Sequence, residues 1–126
     1  MTQTKPTVHS DRRGILVELV KEKKIGQFYY STTKPGSVRG NHYHTRKLEM
    51  FFVIKGKGQM VLKNMKNGKI HKVILTGKNI TGIKVTPYHV HAVKNVGKEE
   101  MIMLIYCNEV FNPKDSDTFH HEIIKP

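Results

Sequence analysis

The sequence predicts an all-β domain, built as a sandwich or a barrel. About ten short apolar runs recur along the chain, and clusters of Gly, Pro, Asn and charged residues separate them. Asn67-Gly68 lies between two such runs and is one of the strongest short signals for a β-hairpin. Residues 17–24 have some helical character, but Gly14 and Gly26 leave a helix little room.

Each predicted strand is a run of β-branched or aromatic residues that ends at turn residues. The first follows an Asp-Arg-Arg-Gly turn, and the polar residues 45–47 separate the third from the fourth. A last apolar patch covers residues 119–124, after a turn-prone tail. The predicted strands are 15–20, 27–33, 38–44, 48–54, 59–63, 69–75, 80–85, 89–96 and 101–108.

Length and cysteine content indicate one domain over residues 1–126 that needs no cross-link. A chain of 126 residues can bury about two-thirds of its unfolded surface, so a metal would be present for function and not merely for folding. The single cysteine, Cys107, excludes an intramolecular disulfide and has the apolar neighbours of a buried strand residue. No signal peptide or membrane span is visible, which predicts a soluble cytoplasmic protein.

The net charge of +12 and the pI near 9.9 raise the question of nucleic-acid binding. The lysines are scattered along the chain, however, and aromatic residues do not alternate with them as a base-stacking surface would require. A solvated lysine-rich surface is therefore the better interpretation. Such a surface would still attract a small anion such as a nucleotide diphosphate.

Two His-x-His pairs carry the chemistry. His42 and His44 project to one face if their segment is a strand, and Glu49 can return a carboxylate to the same place. His89 and His91 repeat the spacing later in the chain. If strands 38–44 and 89–96 are neighbours, then His42, His44, Glu49 and His91 converge on one mixed nitrogen and oxygen site. The alternative for the first pair is that His42 and His44 are ordinary surface histidines beside a surface glutamate, Glu49.

His89 has three interpretations. It shares the interior face with His91, so it is either a fifth ligand or a free imidazole that acts as a general base beside the metal. In the third, it only caps the turn after Pro87.

The spacing Gly36-x5-His42-x-His44-x4-Glu49-x6-Gly56 resembles the first motif of the cupin superfamily at every defined position. Only the end of the second cupin motif is kept, as His91-x3-Asn95, because Thr86 and Tyr88 stand at its proline and glycine positions. The resemblance implies a double-stranded β-helix, the jelly-roll barrel of cupins.

More narrowly, the chain resembles the C-terminal cupin domain of the bifunctional UDP-sugar epimerase/reductases of capsular polysaccharide biosynthesis. In that family the cupin domain binds zinc and epimerises C3 of a 4-keto sugar nucleotide, and an attached reductase then reduces the ketone. Sugar-nucleotide 3,4-ketoisomerases match less well, with one residue fewer before the glutamate. The resembling features are Asp11-Arg12-Arg13-Gly14, Gly26-Gln27, Lys34-Pro35-Gly36, Arg39-Gly40-Asn41-His42-Tyr43-His44, Asn95-Val96-Gly97, Asn108-Glu109-x-Phe111-x-Pro113 and Asp117-Thr118.

The resemblance implies a metal cofactor and a set of partners. Zinc is the expected metal, with iron, manganese and nickel as alternatives, bound by His42, His44, Glu49 and His91. The expected ligand is a nucleotide-sugar or another small anion, and the expected assembly is a homodimer. Because the chain carries no reductase domain, we expect it to act alone or beside a separate reductase. Neither a membrane nor a nucleic acid is expected as a partner.

The predicted function is epimerisation or isomerisation of a nucleotide-linked keto-sugar by removal of the proton next to its carbonyl. His89 is the predicted base, although the related enzymes tend to have tyrosine there. Tyr43 and Tyr30 are predicted to return the proton, with Tyr29 as another candidate. The alternatives are a non-catalytic cupin that binds a sugar or a metal, and an Fe(II)-dependent oxygenase.

Three residues are predicted to bind the substrate: Arg39, Tyr29 and Gln27. Arg39 would contact the diphosphate, because a guanidinium can bind two phosphate oxygens at once. Its alternative role is an internal ion pair with Glu18 or Glu109.

Overall fold

The structure is a computed structural model that describes residues 2–24 and 26–126, and within these residues it contains twelve strands and no helix. The strands are short because turn residues interrupt every apolar run. They are β1 Thr2–Thr4, β2 Thr7–Asp11, β3 Gly14–Glu18, β4 Gln27–Thr33, β5 Val38–Tyr43, β6 Glu49–Lys55, β7 Lys57–Asn64, β8 Ile70–Thr76, β9 Gly82–Val85, β10 His89–Asn95, β11 Met101–Cys107 and β12 Phe119–His120.

Ten of the described strands form two five-stranded antiparallel sheets. The first sheet has the order β1-β9-β6-β11-β4, and the second has the order β12-β5-β10-β7-β8. Strands next to each other in a sheet are often distant in sequence, as in a jelly-roll. Strands β2 and β3 form a separate hairpin. The predicted all-β jelly-roll is confirmed.

The core lies between the inner faces of the two sheets. It is aliphatic and Met-rich, and both sheets contribute to it. Its buried members are Phe51, Val53, Met60, Leu62, Leu75, Ile83, Val85, Val93, Met101 and Met103. The cavity that holds the candidate site opens beside this core, and Phe51, Val93 and Met103 belong to both.

Strand β6 is buried on both faces, which explains its uninterrupted apolar sequence. Phe51 packs into the core between the sheets, and Glu49 lies two residues earlier on the same face. Phe52 points the other way, into a second cluster against which Leu19 and Val20 pack. Leu19 and Val20 therefore cover part of the outer face of the first sheet.

Strands β5 and β10 pair through an irregular register. His91 lies opposite His42, whereas the next residue, Ala92, lies opposite Gly40. Gly40 has a φ of 101°, and a Cβ there would lie 2.6 Å from the carbonyl oxygen of His91. Only glycine allows this close approach, which brings the two strands together next to the histidines.

The sequence-based strand predictions agree with most of the sheet. β4 has the predicted bounds, and every other predicted strand overlaps an observed one. Residues 17–24, where a helix had little room, contain the end of β3 and an irregular segment, and no helix. β1 and β2 were not predicted, because their polar residues show no apolar alternation.

Among the described residues, no helix is long and apolar enough to cross a membrane.

Candidate metal centre

Three neighbouring parts of the barrel supply the four predicted ligands. His42 lies on β5 and His44 directly follows it, Glu49 begins β6, and His91 lies on β10 opposite His42. One ligand atom from each residue can be chosen so that all four lie within 4.8 Å of one another. His44, Glu49 and His91 are buried, and His42 is half-buried. The structure thus brings the four residues together.

Backbone carbonyls fix the tautomers of two of the histidines. Nδ1 of His44 donates to the carbonyl of Asp117 at 2.6 Å, and Nδ1 of His91 lies 3.2 Å from the carbonyl of His89. A carbonyl oxygen can only accept, so each Nδ1 carries the hydrogen and each Nε2 is free to bind a metal. Both Nε2 atoms face Oε1 of Glu49, at 2.7 Å and 3.1 Å.

The convergence of these lone pairs fits a cation. Among the described residues, Nε2 of His91 is buried and has no hydrogen-bond partner, although it lies next to the Glu49 carboxylate. Two unprotonated nitrogens and a carboxylate oxygen would repel one another unless a proton or a positive ion lay between them. Three imidazoles and one carboxylate are suitable ligands for zinc and for other first-row transition metals.

Burial and charge set the protonation of the cluster. Burial, with smaller contributions from His91 and His44, lowers the pKa of His42 to about 4, so its imidazole is neutral at pH 7. Burial alone would raise the pKa of Glu49, but contact with His44 and His91 lowers it below the usual range. Burial disfavours the charged form of His44, but its pairing with Glu49 raises its pKa. Without metal, a proton therefore joins His44 to Glu49.

The cluster lies in a cavity of about 510 Å³, a typical size for a small-molecule site. The wall opposite the histidines comes from β4 and β11. Its side chains that can exchange protons include the phenols of Tyr29 and Tyr30 and the thiol of Cys107. Burial, and then the neighbouring Cys107 and Glu49, raise the pKa of Tyr29, so it is a neutral hydrogen-bond donor at pH 7.

Three of the other predicted site residues line this cavity: Tyr29, Tyr30 and Arg39. The guanidinium of Arg39 donates from Nε and Nη2 to the carbonyl of Thr32, and from Nε to the hydroxyl of Thr33. The predicted alternative for Arg39 was wrong, because Glu18 pairs with His9 and Glu109 pairs with Arg46.

The structure places the remaining predicted site residues away from the cavity wall. Tyr43 stacks between Tyr88 and Phe119, with ring centroids 6.4 Å and 5.3 Å away. The side-chain oxygen of Gln27 accepts from the backbone of Phe111.

His89 also lies away from the cavity wall. Its Nδ1 is 3.2 Å from the carbonyl of Thr86 and 3.1 Å from that of Pro87, which agrees with the turn-capping interpretation. The side chain of a residue at the start of a strand can form its hydrogen bonds with the preceding turn. The alternation of side chains along the strand does not reveal such hydrogen bonds.

Sequence reasoning missed two buried charged residues beside the cluster. Lys47 is 5% exposed, lines the cavity, and donates from Nζ to the carbonyl of Ser116. Asp117 is also 5% exposed and accepts from the backbone amides of Thr45, Arg46 and Lys47. Burial alone would raise the pKa of Asp117, but the hydrogen bond from the Thr45 hydroxyl and those from the three amides lower it. Lys47 was missed because residues 45–47 look like a polar turn in the sequence. Asp117 was named among the residues that resemble the family, but no role was assigned to it.

Comparison with known proteins identifies the family. Residues 9–119 match the family described as polysaccharide biosynthesis C-terminal domain. The chain belongs to this family. UDP-2-acetamido-2,6-beta-L-arabino-hexul-4-ose reductase of Pseudomonas aeruginosa is 37% identical over 112 residues, which are 89% of this chain and 30% of that protein. This chain thus spans less than a third of that reductase.

Solved structures agree with this family and with the cupin fold. The capsular polysaccharide assembling protein CapF of Staphylococcus aureus superposes with a TM-score of 0.76 at 29% identity, over 94% of this chain and 34% of CapF. An RmlC epimerase of Legionella pneumophila, in complex with dTDP-4-keto-L-rhamnose, gives a TM-score of 0.79 at 19% identity, over 94% of this chain and 70% of RmlC. The second likeness supports the fold alone.

Proposed function

We propose that this chain is a metal-dependent epimerase or isomerase of a nucleotide-linked keto-sugar in surface polysaccharide biosynthesis. In this reaction the enzyme removes the proton from the carbon next to the carbonyl and returns it. The observation that carries the proposal is the convergence of His42, His44, Glu49 and His91 on a cavity of about 510 Å³. The family and the reductase of Pseudomonas aeruginosa support the substrate class.

Zinc is the metal proposed for the four ligands, since imidazole nitrogens and a carboxylate oxygen suit it, and iron, manganese or nickel could replace it. When bound, the ion would supply a Lewis acid for an oxygen of the substrate. The ligands themselves need little rearrangement, because carbonyls already orient His44 and His91.

Tyr29 is the proposed proton donor of the cavity. Its phenol lines the same cavity as the ligands and has a raised pKa, so it carries its proton at neutral pH. An acid of this kind can protonate the carbanion that forms when the substrate loses its proton. Tyr30 also lines the cavity, but it is 66% exposed and lies at the rim.

Two cations of the cavity suit an anionic substrate. Lys47 is buried beside the metal ligands, so its ammonium would stabilise negative charge that develops on a nearby oxygen. Arg39 belongs to β5, and Thr32 and Thr33 of β4 hold its guanidinium by hydrogen bonds. We propose that the guanidinium binds the diphosphate there.

The first experiment is hydrogen exchange in heavy water. Zinc-loaded protein is incubated with UDP- and dTDP-linked 4-keto sugars, and NMR follows the proton next to the ketone. We expect exchange with at least one sugar, and a rate lower by roughly 100-fold or more in Tyr29→Phe. Tyr43→Phe, the same change outside the cavity, should exchange at the wild-type rate. No exchange with any of these sugars would contradict the enzymatic proposal.

The base that removes the proton requires a separate comparison. His89 was the sequence-based candidate, but its Nδ1 is engaged by the turn at Thr86 and Pro87. We therefore expect His89→Ala to keep its metal and most of its exchange activity, whereas His91→Ala should lose both. Loss of exchange with metal retained in His89→Ala would restore His89 as the base.

A non-catalytic sugar-binding cupin is the second candidate function. The observation that favours it is the position of His89: among the residues described, the only imidazoles that line the cavity are those of the three ligand histidines. Binding of a nucleotide-sugar by the zinc-loaded protein without hydrogen exchange would favour this candidate. Oxygen consumption with iron but not with zinc would instead indicate an oxygenase.

A homodimer is the proposed assembly. Among the described residues, β4 pairs only with β11, so no strand pairs with its other edge, and Phe28 on β4 is 57% exposed. The β2-β3 hairpin exposes Ile15 and Leu16 by 68% and 69%. Strand edges without a partner strand and exposed apolar side chains of this kind favour pairing with a second chain. Sedimentation should show a dimer, and a monomer at all concentrations would contradict this.

A further inference from the structure

The segment of residues 115–124, here called the strap, runs beside strand β5, which carries His42 and is directly followed by His44. Its β12 portion pairs antiparallel with β5, with Phe119 opposite Tyr43 and His120 opposite His42. The strap is separated by about 70 residues of chain from the ligands that it contacts. The strap therefore reaches the site through tertiary contacts and not through its position in the sequence.

Asn41 anchors one end of the strap. It is buried and has a left-handed φ of 60°. Its side-chain oxygen accepts from the amides of Ile123 and Ile124, its side-chain nitrogen donates to the carbonyl of Ile124, and its own carbonyl accepts from His121. The anchor lies next to His42 in the chain, so the backbone before this ligand is held firmly.

Asp117 anchors the other end of the strap. Its carboxylate accepts from the hydroxyl of Thr45 at 2.6 Å and from the amides of Thr45, Arg46 and Lys47 at 2.9, 2.9 and 3.1 Å. These are the residues directly after His44. The carboxylate therefore ties the strap to the loop that joins β5 to β6, with four hydrogen bonds to a charged acceptor.

Two backbone carbonyls of the strap accept hydrogen bonds from two residues that line the cavity, His44 and Lys47. The carbonyl of Asp117 accepts from Nδ1 of His44, and that of Ser116 accepts from Nζ of Lys47 at 2.9 Å. Asp117 has a φ of 48°, a left-handed conformation that Asp tolerates better than most residues. Its side chain and carbonyl can thus act together, the first fixing the loop and the second fixing the imidazole.

We infer that Asp117 is a positioning residue of the metal centre: by docking the strap onto the β5-β6 loop, it holds His44 in the tautomer and orientation that a metal requires. The inference rests on the proposed metal site and adds a residue and a segment to it. Residues that orient metal ligands from behind commonly change metal affinity by roughly 10- to 100-fold when they are altered.

The test is a Co²⁺ titration of the full chain, followed by the visible absorption of the bound ion, with the melting temperature of the metal-free protein measured in parallel. In Asp117→Asn, an amide NH₂ replaces one oxygen that accepts from Arg46 and Lys47. We expect Co²⁺ to bind roughly 10- to 100-fold more weakly, with an altered absorption spectrum. Thr45→Val keeps the side-chain shape, and removing its one hydroxyl should weaken binding by roughly fivefold.

The matched control is Leu75→Ala, a core truncation on β8 that does not touch the cavity. It should lower the melting temperature while its affinity for Co²⁺ stays within about twofold of wild type, because a change distant from the site affects stability without moving the metal ligands. If Asp117→Asn and Thr45→Val both bind Co²⁺ as the wild type does, the inference is overturned while the metal site stands. Equal weakening in Leu75→Ala would also overturn it. A wild-type chain that binds no Co²⁺ would overturn the metal site itself.

Discussion

Acid should destabilise the metal-free protein through His42, and the size of the effect can be worked out from the structure. Burial, and then the charges of His91 and His44, lower the pKa of His42 from 6.5 to about 4. The native state thus prefers the neutral imidazole, whereas the unfolded chain binds a proton near its ordinary pKa. The stability from neutral His42 is complete above pH 6.5 and is lost as pH falls towards 4.

The difference between the two pKa values corresponds to about 3 kcal/mol of unfolding free energy, at about 1.4 kcal/mol for each factor of ten. The raised pKa of His44 acts with the opposite sign, because its contribution is present below the unfolded pKa and is lost as pH rises through the folded one. A comparison of wild type with His42→Gln isolates the first contribution, since His44 is present in both proteins.

The assay is urea unfolding at several pH values between 7 and 4, with a chelator present throughout. The stability of wild type relative to His42→Gln should fall by about 3 kcal/mol over this range. His42→Asn serves as a control. Its stability should depend on pH in the same way as that of His42→Gln, even where the two variants differ in absolute stability. A wild-type-to-variant difference that stays constant with pH would refute the reasoning about His42.

Three further predictions concern the frame around the site. Gly40→Ala should destabilise the protein by about 3 kcal/mol or more, because its Cβ would lie 2.6 Å from the carbonyl of His91. Gly68→Ala, which also has a positive φ but has open space around it, should cost only about 1 kcal/mol in the same urea unfolding experiment. Asn95→Ala should cost about 3 kcal/mol in thermal unfolding, since the buried side chain of Asn95 donates to the carbonyls of Thr33 and Glu99 and accepts from the amide of Gly97. Cys107 should react with iodoacetamide far more slowly than a free thiol, because burial raises its pKa, and rapid alkylation of the native protein would contradict this.

Much of the fold was predictable, because most of the strands in the structure coincide with local runs of apolar residues that end at turns. β4 is dense in β-branched and aromatic residues and ends at a turn, so its bounds follow from the sequence, and the apolar run of β11 was placed to within one residue. β1 lacks this pattern and is a strand because Thr2–Thr4 pair with β9. A short polar strand at a sheet edge leaves no periodic signal, which is why sequence reasoning missed it.

The four candidate ligands were predictable because their spacing is a property of extended backbone. The same parity, applied to Tyr43 between His42 and His44, places that tyrosine on the opposite face, where the structure has it. His89 could not be placed in this way, since the hydrogen bonds of Thr86 and Pro87 decide where its ring lies. The contact between Asp117 and His44 spans 73 residues, and no local pattern predicts it.

The proposed metal centre consists of four side chains that together bind one metal ion. The most direct measurement is the zinc content of purified protein after dialysis against excess zinc and then against metal-free buffer, compared with Glu49→Gln and His91→Ala. We expect one tightly held zinc per chain in wild type, and roughly 10-fold weaker binding or more in each variant. Wild-type protein that retains no metal, or variants that retain as much as wild type, would contradict it.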